Sequence, residues 1–311
     1  MTAIAAPSRT GAGRSRTWLT IAAFLLPALL LYLVFVIAPI VQAAYYSLYK
    51  WNGLTPLTDF IGLKNYQVAL SSDAFTTAVG NNLLIIVLSL ALQIPFSLAL
   101  AVMLNRRFRG RALFRLLFFL PYVLSEAITG IVFTLMLQPG SLVDGALGRI
   151  GLGGLVQDWL GDSSIVMLTL FVIISWKYFG FHMIIMLAGL QGIPRELEEA
   201  AMIDGARRWD VFRYVTLPLL GPTIRISAFL SIIGALQLFD LIWVMTGGGP
   251  VNASNTMATY MIDWSFKRFQ FGYASAVAVI MLVVSLTFAL LYQRFVLRRD
   301  MEGALTTMGA R

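Results

Sequence analysis

The chain has 311 residues, of which 59% are apolar and only 12% charged, with a formal net charge of +8. A soluble chain of this size carries about 25% charged residues, so this composition and a mean hydropathy of +0.80 exclude an ordinary soluble enzyme and indicate a polytopic membrane protein. Cysteine is absent, which excludes disulfide and thiolate chemistry, and the positive charge is explained as a topology signal without invoking nucleic acid.

Arg9, Arg14 and Arg16 precede an uncharged run from Thr17 to Tyr49. A cleaved signal peptide has an apolar core of about 7–15 residues; this run is longer and is read as a retained first helix. Spanning a bilayer takes about 20 apolar residues. Six segments meet that length: Trp18–Ile40, Asn82–Leu104, Leu116–Leu137, Ile165–Leu190, Ile224–Met245 and Tyr273–Val296. The expected fold is therefore all-α, a bundle of six transmembrane helices. Pro27, Pro95 and Pro121 inside them predict kinks, tolerable where neighbouring helices or water meet the freed carbonyls. Residues 1–16 read as a flexible basic N-terminus, 17–297 as one transmembrane domain, and 298–311 as a cytoplasmic tail.

Lys and Arg set the orientation. With the N-terminus inside, seventeen of them fall on the cytoplasmic side, among them the run Arg106–Arg115, and five fall outside, with Lys177 within a helix. This is a positive-inside bias, and it places both termini in the cytoplasm. The arginine run between the second and third segments is an anchor at the membrane lipid, with no nucleic acid required. The outside receives three loops, about 41–81, 138–164 and 246–272.

Between the fourth and fifth segments lies a charged island, Gln191–Pro222. Pro194 suits a first helical position, whose N–H has no partner in any case. Glu196, Glu198 and Glu199 crowd the first turn, where the helix dipole favours them. Gly205 after Asp204 predicts a left-handed stop, and a second short helix is expected over Arg207–Val215, ending at Leu217–Pro218. The spacing predicts helix, glycine turn and helix on the cytoplasmic side.

Glu199-Ala200-Ala201, three residues, Gly205, nine residues, then Val215-Thr216-Leu217-Pro218 resembles the EAA loop of binding-protein-dependent ABC importer permeases. Val215 stands where the family most often has isoleucine. Phe60–Tyr66 (FIGLKNY), Leu187–Gln191, Phe239-Asp240, Thr246–Pro250 (TGGGP) and Gly272–Ala276 resemble the carbohydrate-importer branch, and the resemblance runs from about residue 18 to 297. It implies that the EAA helix docks in an ATPase subunit, with Glu199, Ala200, Ala201, Asp204, Gly205, Leu217 and Pro218 as the coupling set. It implies as partners a second related permease, two ATP-binding subunits and an extracytoplasmic sugar-binding protein, in the bacterial inner membrane. The cargo implied is a di- or oligosaccharide.

The chain cannot be its own motor. A P-loop needs glycine before its lysine so that backbone N–H groups cradle phosphate; the four lysines follow Tyr49, Leu63, Trp176 and Phe266. ATP and magnesium are thus expected on the partner ATPase, with no cofactor in this chain. One histidine and no cysteine argue against a catalytic metal, no Gly-x-Ser-x-Gly elbow is present, and no catalytic residue is assigned.

Ionisable groups in hydrocarbon cost at least ~2.5–3.5 kcal/mol, so each needs a reason. Glu126 lies roughly 15 Å into the third segment and Lys177 roughly 18 Å into the fourth from the opposite face, matching depths that allow a pair. Two readings stand open: a polar cavity receiving the sugar, or a satisfied interhelical pair. Phe239, Asp240 and Trp243 combine an acceptor with rings that suit sugar C–H faces; the alternative is a packed helix near the outer interface. His182 is read as a hydrogen-bonded packing residue. The TGGGP turn reads equally as a contact for the binding protein or as a helix terminator. Three rival functions remain: import of a phosphorylated polyol such as glycerol phosphate; from another class, an ion-driven secondary transporter, for which the charged island would have no purpose; and a purely structural membrane scaffold.

Overall fold

The computed structural model describes residues 12–106 and 108–297. The tail expected over 298–311 and the N-terminal residues 1–11 lie outside the described residues. Helix begins at Ala12, inside the stretch expected to be flexible.

The first span joins α1 (Ala12–Tyr32) through a π-turn, Leu33–Ile37, to α2 (Ala38–Tyr46). Then come α3 (Lys64–Leu70), α4 (Asp73–Leu88), a second π-turn at Ser89–Gln93, and α5 (Ile94–Asn105). The expected second segment thus starts nine residues early, at Asp73, where Ser72 caps the helix by accepting from the Phe75 N–H. Next are α6 (Arg111–Val123), α7 (Glu126–Met136) and α8 (Leu142–Arg149), followed by α9 (Val166–Gln191). The charged island forms α10 (Arg195–Ile203), then α11 (Arg208–Val211), a π-turn at Phe212–Thr216 and α12 (Leu217–Leu219). The chain closes with α13 (Gly221–Leu236), α14 (Asp240–Met245), α15 (Met257–Ile262) and α16 (Phe271–Tyr292).

α9 is the axis of the bundle. It is apolar all round, the pattern of a helix enclosed by others, and it is flanked by two of the three buried clusters. Ile173, Ile174 and Leu170 pack with Leu241 and Ile242 toward one end, and Met183, Met186 and Leu187 pack with Ile94, Ala101 and Leu220 toward the other. A third cluster joins α3, α4, α13, α15 and α16 around Phe75, Tyr260 and Val277.

Four helices are long and apolar enough to cross a membrane unbroken: Thr20–Tyr46, Asp73–Asn105, Val166–Gln191 and Phe271–Leu297. The other two expected spans are not single rods. The third, expected over Leu116–Leu137, bends by 93° between Val123 and Glu126. The cause is local: Pro121 weakens the ladder, Leu124 and Ser125 turn extended, and Ser125 starts a new helix by accepting from the Ile128 N–H at 3.2 Å. The fifth, expected over Ile224–Met245, stops at Leu236 and restarts at Asp240, and it meets α11–α12 at a 63° bend. Asp240 is therefore the first residue of a separate short helix and not part of a continuous fifth span.

Three of the π-turns share one cause. Leu33–Ile37, Ser89–Gln93 and Phe212–Thr216 each end two residues before a proline: Pro39, Pro95 and Pro218. A proline ring crowds the carbonyl four residues back and supplies no N–H. In each case the residue before the proline bonds five residues back instead, as Ile94 does to the Ser89 carbonyl, which widens the turn and makes room for the ring. Pro218 accordingly does not end the second short helix of the island, as expected at Leu217–Pro218; helix continues to Leu219. Pro194, expected at the first helical position, caps α10 from one residue earlier.

Candidate functional site

The first candidate is the island, expected on the cytoplasmic side. α10 ends as the glycine foretold: Gly205 sits at φ +89°, where a side chain is strained, and the Ala206 N–H returns to the Ala201 carbonyl at 3.0 Å. Glu199, Ala200, Asp204 and Pro218 are exposed, while Ala201 and Leu217 are half-buried. Glu198 is the neighbour that sequence reasoning passed over. Its carboxylate accepts from the Thr216 hydroxyl at 2.8 Å, tying α10 to the π-turn that leads into α13. Large apolar side chains point outward, with Ile203 85% and Trp209 65% exposed. A segment this polar that also exposes such groups has the composition of a docking surface.

The second candidate lies where the broken spans meet α9. Lys177 is buried, and its ammonium donates to the Leu124 carbonyl and, at 3.5 Å, to that of Pro121, both at the bend. It also stands 3.9 Å from the Glu126 carboxylate, the pair that matching depths suggested. Glu126 accepts from the Tyr178 hydroxyl as well, and it occupies the first turn of α7, where the dipole favours a carboxylate. At Gly130 a Cβ would come within 2.7 Å of Val244, so the absence of a side chain lets α7 and α14 touch. This brings the restarted halves of both broken spans together. Phe239 stacks on Trp243 at 5.5 Å, with Lys267 4.5 Å above the Trp243 ring.

Beside this cluster is a cavity of about 120 Å³ between α4–α5, α9 and α13, with Tyr122, Tyr178, His182, Gln93, Ser89 and Ser231 among its walls. His182 bonds Ser227 at 2.7 Å, the packing role expected for it. Gln93, Ser89 and Ser231 are buried residues that line this cavity. An amide and two hydroxyls on a cavity wall offer neutral donors and acceptors to whatever enters it. The π-turn is what aims Ser89 and Gln93 there. The local signal was the Gln-Ile-Pro triplet, a polar residue just before a proline inside a span.

The family model described as "Binding-protein-dependent transport system inner membrane component" matches residues 93–300. The multiple sugar-binding transport system permease protein MsmF of Streptococcus mutans is 33% identical over 261 residues, covering 84% of this chain and 89% of its own. The lactose transport system permease protein LacF of Rhizobium radiobacter is 34% identical over 275 residues, covering 86% and 92%. The chain belongs to the binding-protein-dependent ABC transporter permeases. These two relatives are named as permease proteins of sugar transport systems. A bacterial alginate ABC transporter solved in complex with an alginate pentasaccharide-bound periplasmic protein has the same fold, with a TM-score of 0.80 at 24% identity over 94% of this chain and 98% of that one.

The short motifs of the permease turn out to be joints. Asn65 of FIGLKNY donates to the Ser47 and Tyr49 carbonyls at 2.8 and 3.0 Å, closing the end of the first span. Thr246, at the head of TGGGP, ends α14 and bonds Ser254 at 2.7 Å, the terminator reading of that turn. Asn82, which sequence reasoning did not single out, donates to the Ala235 carbonyl at 2.6 Å and accepts from the Met257 N–H at 2.9 Å, tying α4 to the end of α13 and to the first turn of α15.

Proposed function

We propose that this permease carries a di- or oligosaccharide through the bacterial inner membrane, driven by ATP hydrolysed in separate subunits. The observation that carries the cargo reading is the cavity. Its polar groups are neutral donors and acceptors set among tyrosines, which suits hydroxyls and C–H faces. A phosphorylated polyol would need a free cation there, but the ammonium of Lys177 is held by the bend carbonyls and Glu126. Its volume of about 120 Å³ is below the ~300 Å³ at which ligand pockets begin, which supports a pathway completed by a second, related permease.

The extracytoplasmic binding protein delivers sugar to the outer loops. Closure of two ATP-binding subunits moves α10, and the Glu198–Thr216 bond carries that movement into α13. The bundle then alternates between outward- and inward-facing states. Glu126, Phe239, Asp240 and Trp243 do not line the cavity itself; in this reading they belong to the substrate pathway that leads to it.

The test is uptake of labelled sugar into vesicles holding the assembled importer, with a panel of loaded sugar-binding proteins. The reading expects uptake that needs ATP, survives collapse of ion gradients and falls at least ~10-fold in Q93L, a loss of about 1.4 kcal/mol. Uptake driven by an ion gradient without ATP overturns it.

A further inference from the structure

The second outside loop does not have the surface of a loop in water. Between α7 and α9 it exposes Leu142, Ile150, Leu152, Leu155 and Val156, with Leu142 66% and Ile150 68% open. Beneath it runs a groove of about 350 Å³, floored by α7 and the first two turns of α9 and almost wholly apolar. Phe133, Leu137 and Ile173 close its inner side, and Trp159 forms part of its roof. The Trp159 indole N–H donates to Asp144 at 3.1 Å, and Asp144 also accepts from the Gly140 N–H at 2.8 Å, so the roof is fixed in place.

We infer that this groove holds an acyl chain of an outer-leaflet phospholipid, with the loop lying in the membrane interface above it. Three observations select that occupant. The groove is cut into spans, and its rim on α9 is Leu168 and Val172, one turn apart and both exposed, so it opens sideways into hydrocarbon. No charged side chain lines it, and its polar members, Gln157 and Thr169, are neutral; a tryptophan with its ring in the groove and its N–H on a carboxylate has the placement of an interfacial anchor. Finally, the exposed apolar side chains of the loop are continuous with the bare flank of α7, where Ile131 and Leu135 are exposed. A segment with that distribution lies on a bilayer. The assignment is independent of the cargo.

Trp159 is a built-in reporter. The assembled importer is placed in vesicles of phosphatidylethanolamine and phosphatidylglycerol whose acyl chains carry bromine, a contact quencher of tryptophan emission. The expected result is a quenched component that is missing in W159F and lost in T169F, whose added ring fills the groove, while ATP hydrolysis by the T169F assembly is unchanged. V172F, at the rim, repeats the comparison should T169F fail to assemble. Equal quenching of the parent and the filled variants means that Trp159 meets bulk lipid and the groove holds no chain, which overturns the inference. So does a Trp159 shielded from bromine in the assembly but quenched in the isolated permease, because a protein then occupies the groove, and so does absence of quenching in both.

Discussion

Lys177 shows how a charge persists inside a membrane bundle. A buried ammonium needs more than one carboxylate, and here the Leu124 and Pro121 carbonyls at the bend complete its shell. The break and the lysine are thus one feature. K177M should lower the stability of the assembled importer by about 3 kcal/mol, the low end for breaking a buried pair, because Glu126 keeps a quarter of its side chain exposed. The thermal midpoint measures it, and the double variant E126Q/K177M should recover part of the loss. Gln93 makes the opposite case. Its side chain lines the cavity, so Q93L should leave the thermal midpoint within about 0.5 kcal/mol of the parent, as substitutions away from structural features do, while sugar uptake falls.

At the scale of elements, proline acts here through the turn before it. Each π-turn ahead of Pro39, Pro95 and Pro218 shifts the register of everything that follows. P95A restores the N–H and removes the clash, so the turn should revert to α-helix and rotate Ser89 and Gln93 relative to the cavity. Because the chain has no cysteine, a single Gln93→Cys is read cleanly: its labelling by a small permeant maleimide should fall when P95A is added. The second element under strain is the elbow at Gly205. A β-branched residue at φ +89° costs about 1–3 kcal/mol, so G205V should loosen α10 and uncouple ATP hydrolysis from uptake. Hydrolysis that continues while transport falls several-fold is the expected signature; full transport would refute the coupling role.

For the whole molecule, the first span is the open question of packing. Its most apolar window buries nothing against the rest of the described chain, and only its α2 end meets α16. A helix bare on every side must be covered by lipid or by another subunit. Orientation is a prediction at this scale too. Ile203→Cys on α10 should react with an impermeant maleimide only in inside-out vesicles, and Leu54→Cys in the first outside loop only in right-side-out ones. The reverse pattern would invert the topology and remove the coupling island from the ATPase side.

What could be read from the chain follows from which forces are local. Hydropathy located all four unbroken spans, because burying twenty apolar residues overrides any neighbour, although the first runs six residues past Ile40 to Tyr46 and the second starts nine residues early at Asp73. The coupling elbow was legible because Glu199, Gly205 and their spacing are a short-range conformational code, and the glycine did adopt φ +89°. The Glu126–Lys177 pair followed from depth alone, since a charge in hydrocarbon has few places to go. The two breaks were written locally, as Ser125-Glu126 and as Asp240, but a hydropathy window averages over a single cap. What each polar group ends up facing lay beyond the sequence altogether. Gln93, Asn82 and Glu198 differ in role only because α13 lies opposite one, the end of that helix faces another, and Thr216 reaches the third. Burial is set by composition, whereas hydrogen-bond satisfaction depends on what the fold brings within 3 Å.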